Sequence, residues 1–139
     1  MRVFVDSDVV ISSLISSRGA AYFLLTQSSI TPVISSISHS ELRKVVKRMS
    51  LEMSQLELLI KNHVEICSIT KDLEELKNGY DQFVTDVNDA HIVAGAHISK
   101  VPYLISYNLR HFKIDMIKNK LNIIMLTPAL FLQFLISQH

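Results

Sequence analysis

Four aspartates stand in two pairs whose spacing could bind a cation. Asp6 and Asp8 are two residues apart, and Asp86 and Asp89 are three residues apart. Carboxylates held close together repel one another, and they stay ionised at neutral pH only when a cation compensates their charge. Ligands that are all oxygen, with no cysteine or histidine, favour Mg²⁺ or Mn²⁺. Such an ion activates water and neutralises the charge of a phosphodiester.

The elements before these residues indicate where they lie. Residues 3–5 form a continuous apolar run that ends at Asp6, and residues 103–105 form another that is followed by Ser106 and Asn108. Such runs are typical of strands buried in a parallel sheet, and ligands bind beyond the carboxyl ends of these strands. If a helix starts after Asp6, only Asp6 stays at this edge, whereas an extended chain would point Asp8 there too.

Apolar periodicity predicts strands that alternate with helices. The predicted strands are residues 3–5, 31–35, 64–69, 103–106 and 123–126. The predicted helices are residues 9–15, 20–25, 38–49, 51–62, 70–79, 86–98 and 129–136, the last with Thr127-Pro128 at its start. This order implies a three-layer α/β/α sandwich around a parallel sheet of about five strands. The 139 residues suit one domain, residues 1–139.

The composition allows a buried core and predicts no membrane contact. Hydrophobic residues make up 48% of the chain and charged residues 19%, which excludes a disordered protein. No apolar run approaches the roughly 20 residues of a membrane span, and no export signal is visible, so we expect a cytoplasmic protein. The net charge is only +1, so any nucleic-acid ligand must be bound by local clusters. Two basic clusters qualify: Arg43, Lys44, Lys47 and Arg48, and Arg110, His111 and Lys113.

Structural roles compete for several acidic residues. Asp86 or Asp89 could each be a helix N-cap that contributes about 1 kcal/mol. Ser38 and Glu41 have the spacing of a capping box, which favours a structural role for Glu41 taken alone. Asp6 is harder to explain in this way, because an acid against a buried strand is costly unless something binds it.

The order of these residues resembles the PIN-domain family. The family has an apolar strand that ends in Asp, a Glu at a helix start, an Asp before an Ala-rich helix, and a strand followed by Thr or Ser and then Asp or Asn. The matching runs are VFVDSD at 3–8, SEL at 40–42, NDAHIVAGA at 88–96, YLISYNLRHF at 103–112 and, for a frequent final motif, TPALFL at 127–132. The match covers nearly the whole chain, and its order and spacing carry the resemblance.

The resemblance implies a PIN-like fold and a metal-dependent ribonuclease, frequently the toxin of a toxin–antitoxin pair. Asp6, Glu41 and Asp89 would be the catalytic, Mg²⁺- or Mn²⁺-binding acids. Asp86 would be an accessory metal ligand, and Asn108 would occupy a position that is acidic in many members. The expected partners are RNA, an antitoxin protein and a second copy of the chain. Expected substrate contacts are Ser106, Arg110 and Ser12.

Glu41 is where the structural and catalytic interpretations differ most. As a site residue, it would be repelled by Asp6 and Asp89 and would destabilise the metal-free protein. A change to Gln would then keep or raise stability without metal. As a capping-box residue, its change to Gln would leave both stability and activity intact.

Two alternative functions remain open from the sequence. Haloacid-dehalogenase-like phosphatases use an Asp-x-Asp nucleophile motif, which DSDVV at 6–10 satisfies with Asp6 as the nucleophile, and TDVND at 85–89 distantly matches their acidic motif. This alternative ranks second because Thr85 and Val87 replace the glycines of that motif. The other alternative is a PIN-like module that binds RNA or protein without cutting, suggested by Asn108 and the low net charge.

Overall fold

The computed structural model describes residues 1–138 and contains a fully parallel five-stranded sheet. The strands are β1 (Arg2–Val5), β2 (Thr31–Ser35), β3 (Glu65–Cys67), β4 (Tyr103–Ile105) and β5 (Ile124–Leu126), in the order β3-β2-β1-β4-β5. The predicted strand number and parallel pairing are confirmed. Because β1 is central, the residue that follows it emerges at the middle of the carboxyl edge.

The helices follow the strands in the alternation that the sequence predicts. They are α1 (Ser7–Ile15), α2 (Ala20–Thr26), α3 (Ser36–Arg48), α4 (Met53–His63), α5 (Leu73–Tyr80), α6 (Ala90–Ile98), α7 (Ile114–Leu121) and α8 (Pro128–Ser137). Short 3₁₀ helices occupy Asp81–Phe83, Val87–Asp89 and Leu109–His111. Thr127 caps α8 by accepting a hydrogen bond from the Leu130 amide, as predicted.

Alternating side chains of the strands build two cores, one on each face of the sheet. Val3 and Val5 enter the first core, with buried residues of α1, α2, α3, α4 and α8. Phe4 enters the second core, with buried residues of α6 and α7. The fold is therefore the predicted three-layer sandwich, and α3 and α6 lie on opposite faces of it.

Gly95 lets α6 lie very close to β1. A Cβ atom at this position would come within 2.5 Å of Cζ of Phe4, far inside van der Waals contact. The side chain of Phe4 is fully buried, so it has little room to move aside. The absent side chain brings the first turn of α6 towards the residues that follow β1.

The predicted capping box on Ser38 and Glu41 is wrong. Helix α3 begins at Ser36, and its N-cap is Ser35, whose Oγ accepts a hydrogen bond of 3.0 Å from the Ser38 amide. Glu41 therefore lies in the second turn, where it cannot close a box. Ser35 caps the helix while it also ends β2, so strand and helix join without a loop.

Other boundaries differ from the predictions in smaller ways. Helix α5 starts after the N-cap Asp72 and continues through Gly79 to Tyr80, and α4 starts at Met53. Residues 87–89 form a 3₁₀ turn before α6, where one continuous helix was predicted. Helix α7 was not predicted, although Ile114, Ile117 and Leu121 recur at helical spacing within its eight residues.

Two apolar features of the helices bear on what the chain contacts. Leu56, Leu59 and Ile60 form the apolar stripe of α4, and all three are buried in the first core. The stripe therefore packs inside the chain. No single helix among residues 1–138 has both the length and the apolar character needed to cross a membrane.

Candidate active site

Asp6 lies at the carboxyl end of β1 and also caps α1. Its Oδ1 accepts a hydrogen bond of 2.7 Å from the Ser7 amide, and its Oδ2 accepts one of 2.8 Å from Oγ of Ser106. Its own amide donates to the Ile105 carbonyl of β4. The two bonds to its oxygens, on a backbone that is itself bonded to β4, give the carboxylate one fixed orientation.

The surroundings of Asp6 oppose its negative charge. Burial is the main cause that raises its pKa to about 6, and the neighbouring carboxylate of Asp8 raises it further. The hydrogen bonds from Ser106 and Ser7 act in the other direction, because they stabilise the ionised form. Asp6 is thus an acid that a nearby cation would help to ionise.

Asp8 lies at the site although a helix does follow Asp6. Its Oδ2 accepts hydrogen bonds of 3.1 Å from the Tyr107 amide and 3.1 Å from Nδ2 of Asn108. Its Oδ1 is buried and has no hydrogen-bond partner among residues 1–138. Burial raises the pKa of Asp8, and these bonds limit the rise. The prediction that only Asp6 would stay at this edge is wrong, because the loop after β4 reaches across to the first turn of α1.

Ser106 and Asn108 are placed at the sheet edge as predicted, but they serve different purposes. Ser106 is fully buried, so it cannot contact a substrate directly. Its hydroxyl donates to Asp6 and accepts a bond of 3.1 Å from the Asn108 amide. Asn108 is exposed, and because its Nδ2 bonds to Asp8, its Oδ1 is the atom left to act as a ligand.

The two aspartates before α6 have separate roles. Asp86 acts as a local cap, since its Oδ1 accepts a hydrogen bond of 2.9 Å from the Asn88 amide. Asp89 occupies the N-cap position of α6 but makes no capping hydrogen bond with its side chain. Burial raises the pKa of Asp89, and the charges of Asp6 and Asp86 raise it further. Nδ1 of His111 lies 3.7 Å from Oδ2 of Asp89.

Glu41 lies on the opposite face of the sheet and contacts α6 through His91. Its Oε2 lies 3.3 Å from Nε2 of His91, and the side chain of Glu41 is about half exposed. The hydrogen bond with His91 is the main cause that lowers the pKa of Glu41. His91 is buried on α6, and its Nδ1 has no partner among residues 1–138. Sequence reasoning missed His91, because a single histidine in an apolar helix carries no signal of the acid that it meets.

These residues suit a divalent cation by charge and by donor type. Asp6 and Asp89 carry raised pKa values partly because of nearby carboxylates, and the buried Oδ1 of Asp8 has no partner among residues 1–138. Oxygen donors of this kind prefer Mg²⁺ or Mn²⁺. Within residues 1–138, no three histidine, cysteine or acidic side chains are drawn together closely enough to hold an ion. The described side chains therefore fit an ion chemically without being gathered around one.

The remaining predicted contacts surround the acids. Ser12 lies one helical turn beyond Asp8 on α1 and is partly buried, whereas Arg110 is exposed in the 3₁₀ helix that follows Asn108. Lys44 lies one turn after Glu41, and its charge helps to lower the pKa of that acid. Beside them is an open cavity of 310 Å³. Its lining residues are Ser36, Ile37, Ser40, Glu41, Lys44 and Leu73.

Solved structures with the same fold come from toxin–antitoxin systems. The crystal structure of VapBC2 from Rickettsia felis, bound to a DNA fragment from its promoter, has a chain with a TM-score of 0.63 and 20% identity, and the match covers 91% of this chain and 98% of that one. A toxin–antitoxin complex from Klebsiella pneumoniae gives a TM-score of 0.64 and 22% identity, with 91% and 97% covered. At these identities the likeness shows the fold.

Sequence comparison identifies the family directly. A search of curated proteins finds no match to the chain. The profile of the PIN domain matches residues 2–110, which include Asp6, Glu41, Asp89 and Asn108. The match also contains both runs that suggested a phosphatase, so that alternative loses its support. With most of its length inside this profile, the chain belongs to the PIN domain family.

Proposed function

We propose that the chain is a Mg²⁺- or Mn²⁺-dependent endoribonuclease of the PIN type. The observation that supports this most is the state of Asp89. It stands at a helix start without capping it, and its pKa is raised partly by the charge of Asp6. An acid at the end of β1 and an acid at the start of α6 thus share one electrostatic environment. Asp6, Asp89 and Glu41 would hold the ion, with Asp86 and Asn108 as further oxygen ligands.

When bound, such an ion supplies a water activated for attack and neutralises the charge of the phosphodiester. The chain's own residues prepare the site. Ser106 fixes the orientation of Asp6, and Asp8 fixes the amide of Asn108 so that its carbonyl oxygen is available. Arg110 is exposed beside Asn108, where its guanidinium can bind phosphates of RNA.

We further propose that the protein is the toxin of a toxin–antitoxin pair and acts on RNA in the cytoplasm. The support is the fold shared with chains of two toxin–antitoxin complexes, one of them bound to promoter DNA. The partner would be an antitoxin protein, and a second copy of the chain remains a predicted partner. Co-purification with the product of a short neighbouring gene would test the first of these.

The decisive experiment is RNA cleavage by the purified protein with Mn²⁺, with EDTA, and with Asp6→Asn. We expect the parent to cleave only with metal, and Asp6→Asn to lose more than about 100-fold of the rate, because it removes a charged group at the reacting centre. Asp115→Asn is the matched control, since Asp115 is exposed on α7. Equal cleavage by the parent and Asp6→Asn would show that the site is wrong.

Two other outcomes would point to the alternatives. If the parent binds RNA or a small partner protein, but neither binds Mn²⁺ in calorimetry nor cleaves, the chain is a non-catalytic PIN-like module. A covalent aspartyl-phosphate on Asp6 would revive the phosphatase interpretation. The low net charge makes the salt dependence of RNA binding a useful additional measurement.

A further inference from the structure

The acids of the site come from both helical layers. Glu41 is on α3, whose buried Leu42 and Val46 belong to the first core. Asp89 immediately precedes α6, whose buried Ala90 and Val93 belong to the second core. Packing on the two faces of the sheet places the helices, but it does not fix the long, half-exposed side chain of Glu41. A contact across the carboxyl edge of the sheet is needed.

His91 makes that contact. It lies two residues after Asp89, is only 6% exposed, and places Nε2 at 3.3 Å from Oε2 of Glu41. Donation from Nε2 to the carboxylate at this distance requires the proton of the neutral ring to be on Nε2. The Glu41 side chain is about half exposed and has three rotatable bonds, so it would sample several rotamers without such a partner.

The other nitrogen of the ring argues against a purely packing role. Nδ1 of His91 is buried and has no hydrogen-bond partner among residues 1–138. A buried polar atom without a partner destabilises a fold, and a leucine at this position would avoid that penalty. Histidine at this position therefore costs stability in the core, and the contact of its Nε2 with Glu41 is the polar contact that favours it.

We propose that His91 is a positioning residue that holds the Glu41 carboxylate beside Asp89 for binding of the divalent cation. This inference rests on the proposed metal-dependent function. It assigns His91 no contact with the ion or with RNA. Residues that orient a metal ligand in this way usually change metal affinity or activity by about 10–100-fold when they are lost.

Two amide substitutions separate positioning from packing. In His91→Gln the amide nitrogen reaches the place of Nε2 and can still donate to Glu41, whereas in His91→Asn it reaches only the place of Nδ1. We expect His91→Asn to weaken Mn²⁺ binding in calorimetry by about 10–100-fold. His91→Gln should stay within about threefold of the parent, by the same reasoning. Thermal melts in EDTA verify that both variants fold.

A double variant tests whether His91 acts through Glu41. In Glu41→Gln, adding His91→Asn should weaken Mn²⁺ binding no further, since the group it positions has already lost its charge. In the metal-free parent, the proton on Nε2 should give a protected NMR signal that Glu41→Ala removes. This last measurement requires no variant at His91, so it stands even if those variants fold poorly.

The outcomes separate a failure of the positioning role of His91 from a failure of the proposed nuclease function. If the parent binds Mn²⁺ and cleaves RNA while His91→Asn binds Mn²⁺ equally well, the inference is overturned and the function stands. Equal losses in His91→Gln and His91→Asn, or a further loss in the Glu41→Gln background, would show that His91 only supports the fold. If the parent neither binds Mn²⁺ nor cleaves, the proposed function fails, and the inference fails with it.

Discussion

The two ends of the acidic site are built in opposite ways. Asp6 is largely buried, held by bonds from Ser7 and Ser106, and its pKa is raised to about 6 mainly by burial. Glu41 is about half exposed, has His91 as its hydrogen-bond partner, and its pKa is lowered mainly by that bond. The first acid is fixed in place but opposed to ionisation, whereas the second is readily ionised but fixed by one contact.

This difference indicates what a cation contributes at each end. At Asp6 an ion relieves an unfavourable charge, so that binding of the ion and stability of the protein are linked. At Glu41 the charge is already stabilised, so a bound ion gains a ligand but relieves no unfavourable charge. The same substitution of acid by amide should therefore have different effects on the metal-free protein at the two ends.

The largest effect is expected for Asp6→Asn in the absence of metal. The pKa of Asp6 is 3.8 ordinarily and about 6 in the folded chain, so ionisation destabilises the folded state as the pH rises through this range. Asn keeps the cap of α1 but carries no charge. At pH 7 we expect the variant to exceed the parent's free energy of unfolding by at most about 3 kcal/mol.

Urea denaturation in EDTA at pH 7 and below pH 4 measures this effect. The advantage of Asp6→Asn over the parent should be present at pH 7 and should shrink below pH 4, where Asp6 is protonated in both the folded and unfolded states. The difference between the unfolding free energies of variant and parent cancels the contributions of the other acids. An advantage that does not depend on pH would contradict the proposed cause.

An intermediate effect is expected for Ser106→Ala, which removes an orienting hydroxyl at the Asp6 end. The buried hydroxyl donates to Asp6 and accepts from the Asn108 amide. Losing both bonds should lower the free energy of unfolding by about 1–3 kcal/mol. It should also reduce metal-dependent cleavage by about 10–100-fold.

Ser99→Ala is a matched control for that substitution. Ser99 is also buried, but its hydroxyl has no hydrogen-bond partner among residues 1–138. Its removal should leave cleavage unchanged and should not reproduce the loss of stability. Equal losses of cleavage in the two variants would mean that Ser106 only fills space.

The smallest effect on the metal-free protein is expected for Glu41→Gln. Glu41 is about half exposed, so its contact with His91 contributes at most about 1 kcal/mol, and the lowered pKa of Glu41 indicates weak stabilisation instead of repulsion. The gain in stability that the sequence suggested is therefore no longer expected. Thermal melts should be nearly unchanged in EDTA, and the rise in Tm with Mn²⁺ should be smaller than in the parent. A gain comparable with that of Asp6→Asn would remove the contrast between the two ends.

The sequence predicted those parts of the fold that depend on local patterns. The apolar run of β1, the break near Gly19 and the Thr127-Pro128 helix start are local signals, and all three are confirmed. The start of α3 was misjudged because Ser35 serves both as the last residue of β2 and as the cap. Helix α7 was missed although its apolar residues have helical spacing, and Asn122, in a left-handed conformation with φ of 59°, marks its end.

The site was predictable only where a residue follows a strand directly. Asp6 and Ser106 were placed at the sheet edge for this reason. Asp8 joins them through partners about 100 residues away in the chain, and His91 meets Glu41 from 50 residues away. No periodicity contains such pairings, since they depend on how the two layers meet at the edge. A buried histidine in contact with an acid can therefore be recognised only from the three-dimensional structure.

The close approach of Gly95 to Phe4 has a consequence for how this site can evolve or be engineered. Helix α6 rises about 1.5 Å per residue, so Gly95 lies roughly 9 Å along the axis from Asp89. A methyl group added there would displace the helix from β1, and both Asp89 and His91 would move with it. The spacing of the acids can thus be adjusted from a buried position that lies well away from them. Attenuated forms of the protein could arise, or be made, with every acidic side chain still present.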